Sequence, residues 1–183
     1  MNQVPNNRIL SLVFLVLFSF SCSSDLDFNQ VNDLVLEPVY VANLSYFDVL
    51  AKEFVTNGVE HNVGFDAEDF DVFRDSFFRN HLTKAELFFE VNNTINRSYT
   101  LDVVLLDQNN VVLYTIRFNV PAYSGGENIV SKTEVFENAK LNLLKNTRKL
   151  GFLFAMAPGP VLTENSVGSL KLKSSATTYM TVQ

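Results

Sequence analysis

The chain holds no tryptophan, one cysteine, two histidines, seven glycines and five prolines in 183 residues. Each shortage excludes or weakens a class of chemistry. Sugar-binding platforms favour Trp and Tyr, whose rings join an apolar face to a polar handle; here the aromatics are mostly phenylalanine, 17 against 6 tyrosines. Tyr40, Tyr46 and Tyr179 are the tyrosines that keep glycan binding open. His61 and His81 have no cysteine partner nearby, so a zinc site would need carboxylates gathered by the fold. Neither histidine stands near a Gly-x-Ser-x-Gly elbow or other triad setting, which leaves nucleophilic catalysis without a visible carrier. The stretch Tyr123-Ser124-Gly125-Gly126 lacks the strand-to-helix setting and following Lys-Ser/Thr of a phosphate loop. Basic residues are also few: 14 Lys and Arg face 20 Asp and Glu, for a net charge of -6. Because nucleic-acid affinity comes mainly from Lys and Arg displacing counterions, nucleic acid is not expected as a partner. The expectation is a non-enzymatic chain with no catalytic residues and no cofactor.

Long hydrophobic runs are missing too, apart from one near the start. Ile9 to Phe20 is apolar except for Ser11 and Ser19, and follows a segment whose one side-chain cation is Arg8. About a dozen helical residues reach only ~18 Å, short of the ~30 Å hydrocarbon core, so this run is a signal-peptide core and not a membrane span. Residues 1–21 are assigned to it, and their loss removes only Arg8 among charged residues. Ser19-Phe20-Ser21 offers a small-x-small site to ordinary signal peptidase. Ser21-Cys22 offers the alternative: the chain's one cysteine falls at the junction, where acylation would make it a new amino terminus. An unpaired thiol in an exported protein would otherwise be a reactive liability.

Ser21-Cys22 resembles the end of a bacterial lipobox, although Ser19 and Phe20 stand where that motif has leucine and a small residue. The following Ser23-Ser24-Asp25-Leu26-Asp27-Phe28 resembles the serine- and aspartate-rich export signal of surface lipoproteins of the Bacteroidota, flavobacteria in particular. That resemblance implies lipidation at Cys22, export specified by Ser23, Ser24, Asp25 and Asp27, and a lipid-anchored, surface-exposed place on the outer membrane. Two or more acyl chains hold a protein stably, because each buried methylene contributes ~0.8 kcal/mol.

Residues 22–33 read as lipidated terminus and linker, and residues 34–183 as a single β-sandwich domain. The chain length suits one core, and the wealth of Phe argues against disorder. Leu34 to Tyr40 opens an extended segment with Pro38 marking an edge. Phe47 to Val55 reads as strand, Thr56 to Phe65 as a loop. Leu82–Val91, Tyr99–Leu106 and Val111–Val120 are clear strands. Asp107-Gln108-Asn109-Asn110 between the last two predicts a β-hairpin, since Asn and Asp tolerate left-handed backbone. Alternation places Val112, Tyr114, Ile116 and Phe118 on the core face. Ile129–Val135, Lys149–Met156 and Leu170–Val182 complete the strands, and Phe136–Leu144 is the one short helix expected. The fold class is mainly β, an antiparallel sandwich whose polar outer face meets water.

The most concentrated charge is Asp66, Glu68, Asp69, Asp71 and Asp75. Carboxylates suit calcium, but the stretch lacks an EF-hand's glycine and terminal glutamate. Interspersed Phe70, Val72 and Phe73 suggest an amphipathic turn with solvated acids. Asp66, Glu68, Asp69 and Asp71 therefore stand only as weak metal candidates. Two roles are open: an envelope lipoprotein that binds or scaffolds an envelope protein or glycan, or a glycan- or calcium-binding sandwich module.

Overall fold

The computed structural model describes residues 35–183. The signal segment, Cys22 and the Ser23–Asp27 stretch lie outside the described residues. In chain order the strands are β1 (Val39–Leu50), β2 (Val55–Thr56), β3 (Val59–Glu60), β4 (Val63–Asp69), β5 (Leu82–Asn93), β6 (Tyr99–Leu106), β7 (Val112–Val120), β8 (Ile129–Glu137), β9 (Lys149–Met156) and β10 (Ser169–Met180). Two helices, α1 (Ser76–His81) and α2 (Asn138–Asn146), precede β5 and β9.

One antiparallel sheet has the order β1-β10-β5-β8, the other β4-β9-β6-β7, and β2-β3 form a small separate ribbon. Among the eight long strands of the described residues, only β6 and β7 are joined by a hairpin; every other connection between them crosses to the opposite sheet. That strand order is a jelly roll. Alternating side chains fill the space between the sheets: Ala85, Leu87, Phe89 and Val91 of β5 face Leu101, Val103, Ile116 and Phe118 of the second sheet. Phe89 meets Phe118 with ring centroids 6.1 Å apart, and Phe47 meets Phe152 edge-on at 5.7 Å. Each such buried side chain contributes roughly 1.5–3 kcal/mol.

The expected hairpin is present. Asp107 Oδ1 accepts from the amides of Asn109 (2.7 Å) and Val111 (2.8 Å), while Asn110 takes a positive φ of 61°. A bulge between Leu105 and Leu106 shifts the register there. This corrects the face assigned to Val112: it pairs with Leu106 on the outside and is 54% exposed, whereas Ile116 and Phe118 are buried as expected.

Four further expectations are corrected. The stretch from Phe47 to Val55 ends β1 and then makes a 3-10 turn, Ala51–Phe54. Thr56 to Phe65 is not one loop: it holds the β2–β3 turn, with Asn57 and Gly58 both at positive φ, and the start of β4. Consecutive positive φ values define the tight turn that suits a right-twisted ribbon. A second helix, α1, accompanies the expected one, which starts at Asn138 because Phe136 still belongs to β8. Finally, the outer face of the sheet β4-β9-β6-β7 is polar only in part: beside the Asp102–Arg117 ion pair (2.7 Å) it carries an apolar patch. Val63 (63% exposed), Phe65 (58%), Leu153 and Val112 share it with Val104 and Leu106. The other sheet's outer face carries the expected charges, with Lys171 paired to Asp48 (3.0 Å) and Lys173 to Glu90 (3.7 Å).

The two open sides of the sandwich are closed differently. Where β7 and β8 meet, the Tyr114 hydroxyl donates to Glu134 (2.7 Å), and Lys140 of α2 pairs with the same carboxylate. The Lys140 ammonium also lies 4.5 Å from the Tyr114 ring centroid and 4.8 Å from that of Phe136. Burial works to raise the Glu134 carboxyl, but hydrogen bonds from Lys140 and Tyr114 outweigh it and hold the group below the ordinary glutamate range. A depressed folded-state value means the stabilisation is present above the unfolded range and is lost as pH falls through the folded one. Glu134→Gln therefore destabilises the protein by about 1–2 kcal/mol at neutral pH, and the difference narrows on acidification below the ordinary glutamate range. Urea titrations of both proteins at neutral and acid pH check this; a constant difference would contradict it.

Candidate functional site

The opposite side, between the edges of β1 and β4, is less tightly closed. There the Ser45 hydroxyl reaches Glu68 Oε2 at 3.2 Å, and the connection from β4 to β5 crosses over the inner face of the first sheet. Under that connection lies a cavity of about 570 Å³. Its size is within the ordinary range for small-ligand pockets.

The floor is built by register. Ala42 of β1 pairs with Ala176 of β10, which pairs with Leu87 of β5; in the next row Tyr40, Thr178 and Ala85 lie side by side. These are inward-facing positions, and the small residues among them leave space that a larger side chain would fill. The roof is the segment Phe70 to Phe78. Phe70 and Phe73 are buried and meet edge-on at 5.4 Å, which fixes the inner part of the roof. Phe78 stands opposite Tyr40 at the mouth, centroids 6.1 Å apart. The roof's turn into α1 is set by Asp75, whose Oδ1 accepts from the amides of Phe77 (2.8 Å) and Phe78 (3.3 Å) as an N-cap.

A bulge in β1 aims its residues. Register slips between Asn43 and Tyr46, so Tyr40 and Ala42 face the cavity before the bulge, while Phe47 and Val49 face the main core after it. The bulge is held by Ser174, whose hydroxyl accepts from the Ser45 amide and donates to the Ser45 carbonyl, both at 2.9 Å. Bulges commonly re-aim side chains beside functional sites.

The sequence candidates are distributed as follows. Asp66 and Glu68 project inward from the edge strand β4, opposite Phe152 and Leu150, where inward charges guard an edge against pairing with another chain. Asp69 pairs in register with Lys149. Asp71 forms an ion pair with Arg74 (2.8 Å) and, with Asp75, lines the cavity. The acidic run is thus divided among a strand, a turn and a helix cap. Among the described residues, no group of three or more His, Cys, Asp or Glu side chains is placed to hold a metal ion. His61 follows β3 and is exposed; His81 ends α1, its Nδ1 donating to the Phe77 carbonyl at 2.8 Å. Tyr46 and Tyr179 share the outer face of the first sheet but stand six β10 positions apart by register, roughly 20 Å. Tyr40 turns to the other face, into the cavity mouth, so the three form no common platform. The cavity's alanines went unread; their signal is a small residue at an inward position, as Ala85 is in the strand LTKAELFFEV.

No protein-family model matches the chain, and no curated protein does. Among solved structures, the VP2 subviral particle of infectious bursal disease virus is similar over 78% of this chain at 10% identity, TM-score 0.46. This chain spans about a third (32%) of that protein's length. A protein of Parabacteroides distasonis, provisionally described as secreted, is similar over 63% of this chain and 38% of its own, with 15% identity and a TM-score of 0.41. Desmodium yellow mottle tymovirus gives 82% and 89% coverage at 9% identity and a TM-score of 0.34. No helix among the described residues is long and apolar enough to cross a membrane.

Proposed function

We propose that the chain is a non-catalytic binding module of a bacterial envelope, a jelly roll held on the outer surface of the outer membrane by acyl chains on Cys22. The observation that carries the binding role is the cavity beneath the β4–β5 connection: ligand-sized, mostly apolar, and framed by fixed aromatic rings, with only a few polar groups at its mouth. The anchor is supported by the signal core, the lone cysteine at its boundary and the acidic stretch behind it.

Metabolic labelling with an alkyne palmitate analogue tests the anchor. Wild type takes up label and Cys22→Ala does not; equal labelling of both would remove the anchor. Protease added to intact cells then reports the exposed face, degrading the protein without lysis if it is displayed outward.

A further inference from the structure

The charged groups that line the cavity among the described residues have one sign. Asp71 and Asp75 line it, and no lysine, arginine or histidine does. Arg74, the nearest cation in sequence, lies outside the lining and is committed to Asp71. The walls further in are aliphatic and aromatic apart from the buried Thr178, ending in the alanine floor. At the mouth Tyr40 is half exposed and stands tilted against Phe78, so two aromatic rings line the entrance together with two carboxylates.

Resting on the binding role proposed above, we infer that the cavity takes an amphiphile with an apolar tail and an ammonium head, in preference to the matching carboxylate. The tail displaces water from the alanine floor, and each methylene buried strengthens binding about fourfold. The head stays at the entrance, where aromatic rings attract a cation and the two carboxylates offer it opposite charge. A carboxylate head at the same place faces Asp71 and Asp75, and the one cation paired there, Arg74, is already engaged by Asp71. The selectivity is set at a partly solvated entrance and is weakened by salt.

The test uses the full mature protein and a neutral naphthylamine dye whose emission rises in apolar surroundings. The chain has no tryptophan, so protein indole contributes nothing to the signal. Decylamine, decanol and decanoate then compete for the dye, each below its micelle concentration. Decylamine is expected to displace the dye about tenfold more effectively than decanoate at low salt, with decanol between them. Asp71→Asn reduces that ratio to about threefold. Ala42→Phe, at an exposed edge-strand position, fills the space and weakens dye binding at least tenfold without loss of the folded state; Ala176→Phe repeats the fill from the central strand. Absence of dye uptake by wild type overturns the binding role itself. Uptake with equal displacement by decylamine and decanoate overturns the head-group assignment alone, and uptake unchanged in both filled variants overturns the location.

Discussion

Arg97→Met is expected to lower the melting temperature by about 6–20 °C, corresponding to roughly 3–5 kcal/mol for a domain of this size. Arg97 sits in the β5–β6 connection and is 3% exposed. Its Nε (2.9 Å) and Nη2 (2.7 Å) both donate to the Ala157 carbonyl, and its Nη1 donates to the Pro160 carbonyl (2.6 Å) and Glu60 Oε1 (2.9 Å). Glu60 in turn accepts from the Leu162 amide at 2.9 Å. One guanidinium thereby holds the β2–β3 ribbon and the β9–β10 connection to the end of the sandwich. Methionine matches the side chain's length but leaves the Ala157 and Pro160 carbonyls without a donor and the largely buried Glu60 carboxylate without its cation, holding only the Leu162 amide. Lysine does not rescue it, because a single ammonium cannot reproduce the planar fork. If the damage comes from the stranded carboxylate, the double variant Arg97→Met with Glu60→Gln is less destabilised than the sum of the two single variants by 0.5 kcal/mol or more, an order-of-magnitude coupling for contacting residues. Simple additivity would contradict the charge-pair account.

Gly168→Ala produces a loss of the same order for a different reason. Gly168 precedes β10 with φ of +103°, and a Cβ built there would lie 2.4 Å from the Thr94 carbonyl oxygen. The neighbouring contacts allow no retreat: Ser169 exchanges hydrogen bonds with Thr94, and the Gly168 carbonyl accepts from Ala51. Backbone strain and overpacking each contribute about 1–3 kcal/mol. Gly58 supplies the control. It also has positive φ, at +74°, but nothing lies within 4 Å of its added Cβ, so Gly58→Ala loses only about 1 kcal/mol. Paired thermal melts check this, and equal losses at both sites would show that backbone conformation alone, not the approach of Thr94, decides.

The β class of the fold was legible because alternation and turn chemistry are local. The hairpin around Asp107–Asn110 shows both within a short stretch, and the two strands beside it are hydrogen-bonded neighbours. Strand order was not legible: β1 pairs with β10, so Val39 lies beside Tyr179, and no local pattern encodes such a pairing. β4 was divided between a loop, read from Gly58 and Gly64 in Thr56–Phe65, and an amphipathic turn read from the acids from Asp66 onward; an edge strand tolerates both. Helix α1 was missed because Ser76–His81 is too short to show a period; its cap, Asp75, was noticed only as a charge. The bulge in β1 depends on Ser174, which no reading of β1 alone would find.

The candidate site was legible in part. Asp71, Asp75 and Tyr40 were singled out and do line the cavity, but as its mouth and not as a metal cluster or sugar platform. The floor arises where Ala42, Ala85 and Ala176, from three strands distant in sequence, come together through register. Each alone is an ordinary strand alanine. Their meaning appears only once the strand order is known.

The most direct measurement is methyl NMR of the mature protein carrying labelled alanine and valine methyls, titrated with the naphthylamine dye. The account predicts saturable shifts at Ala42, Ala85 and Ala176, with Val63 and Val112 on the outer face of the other sheet unmoved. Shifts confined to Val63 and Val112, or none at saturating dye, would contradict it.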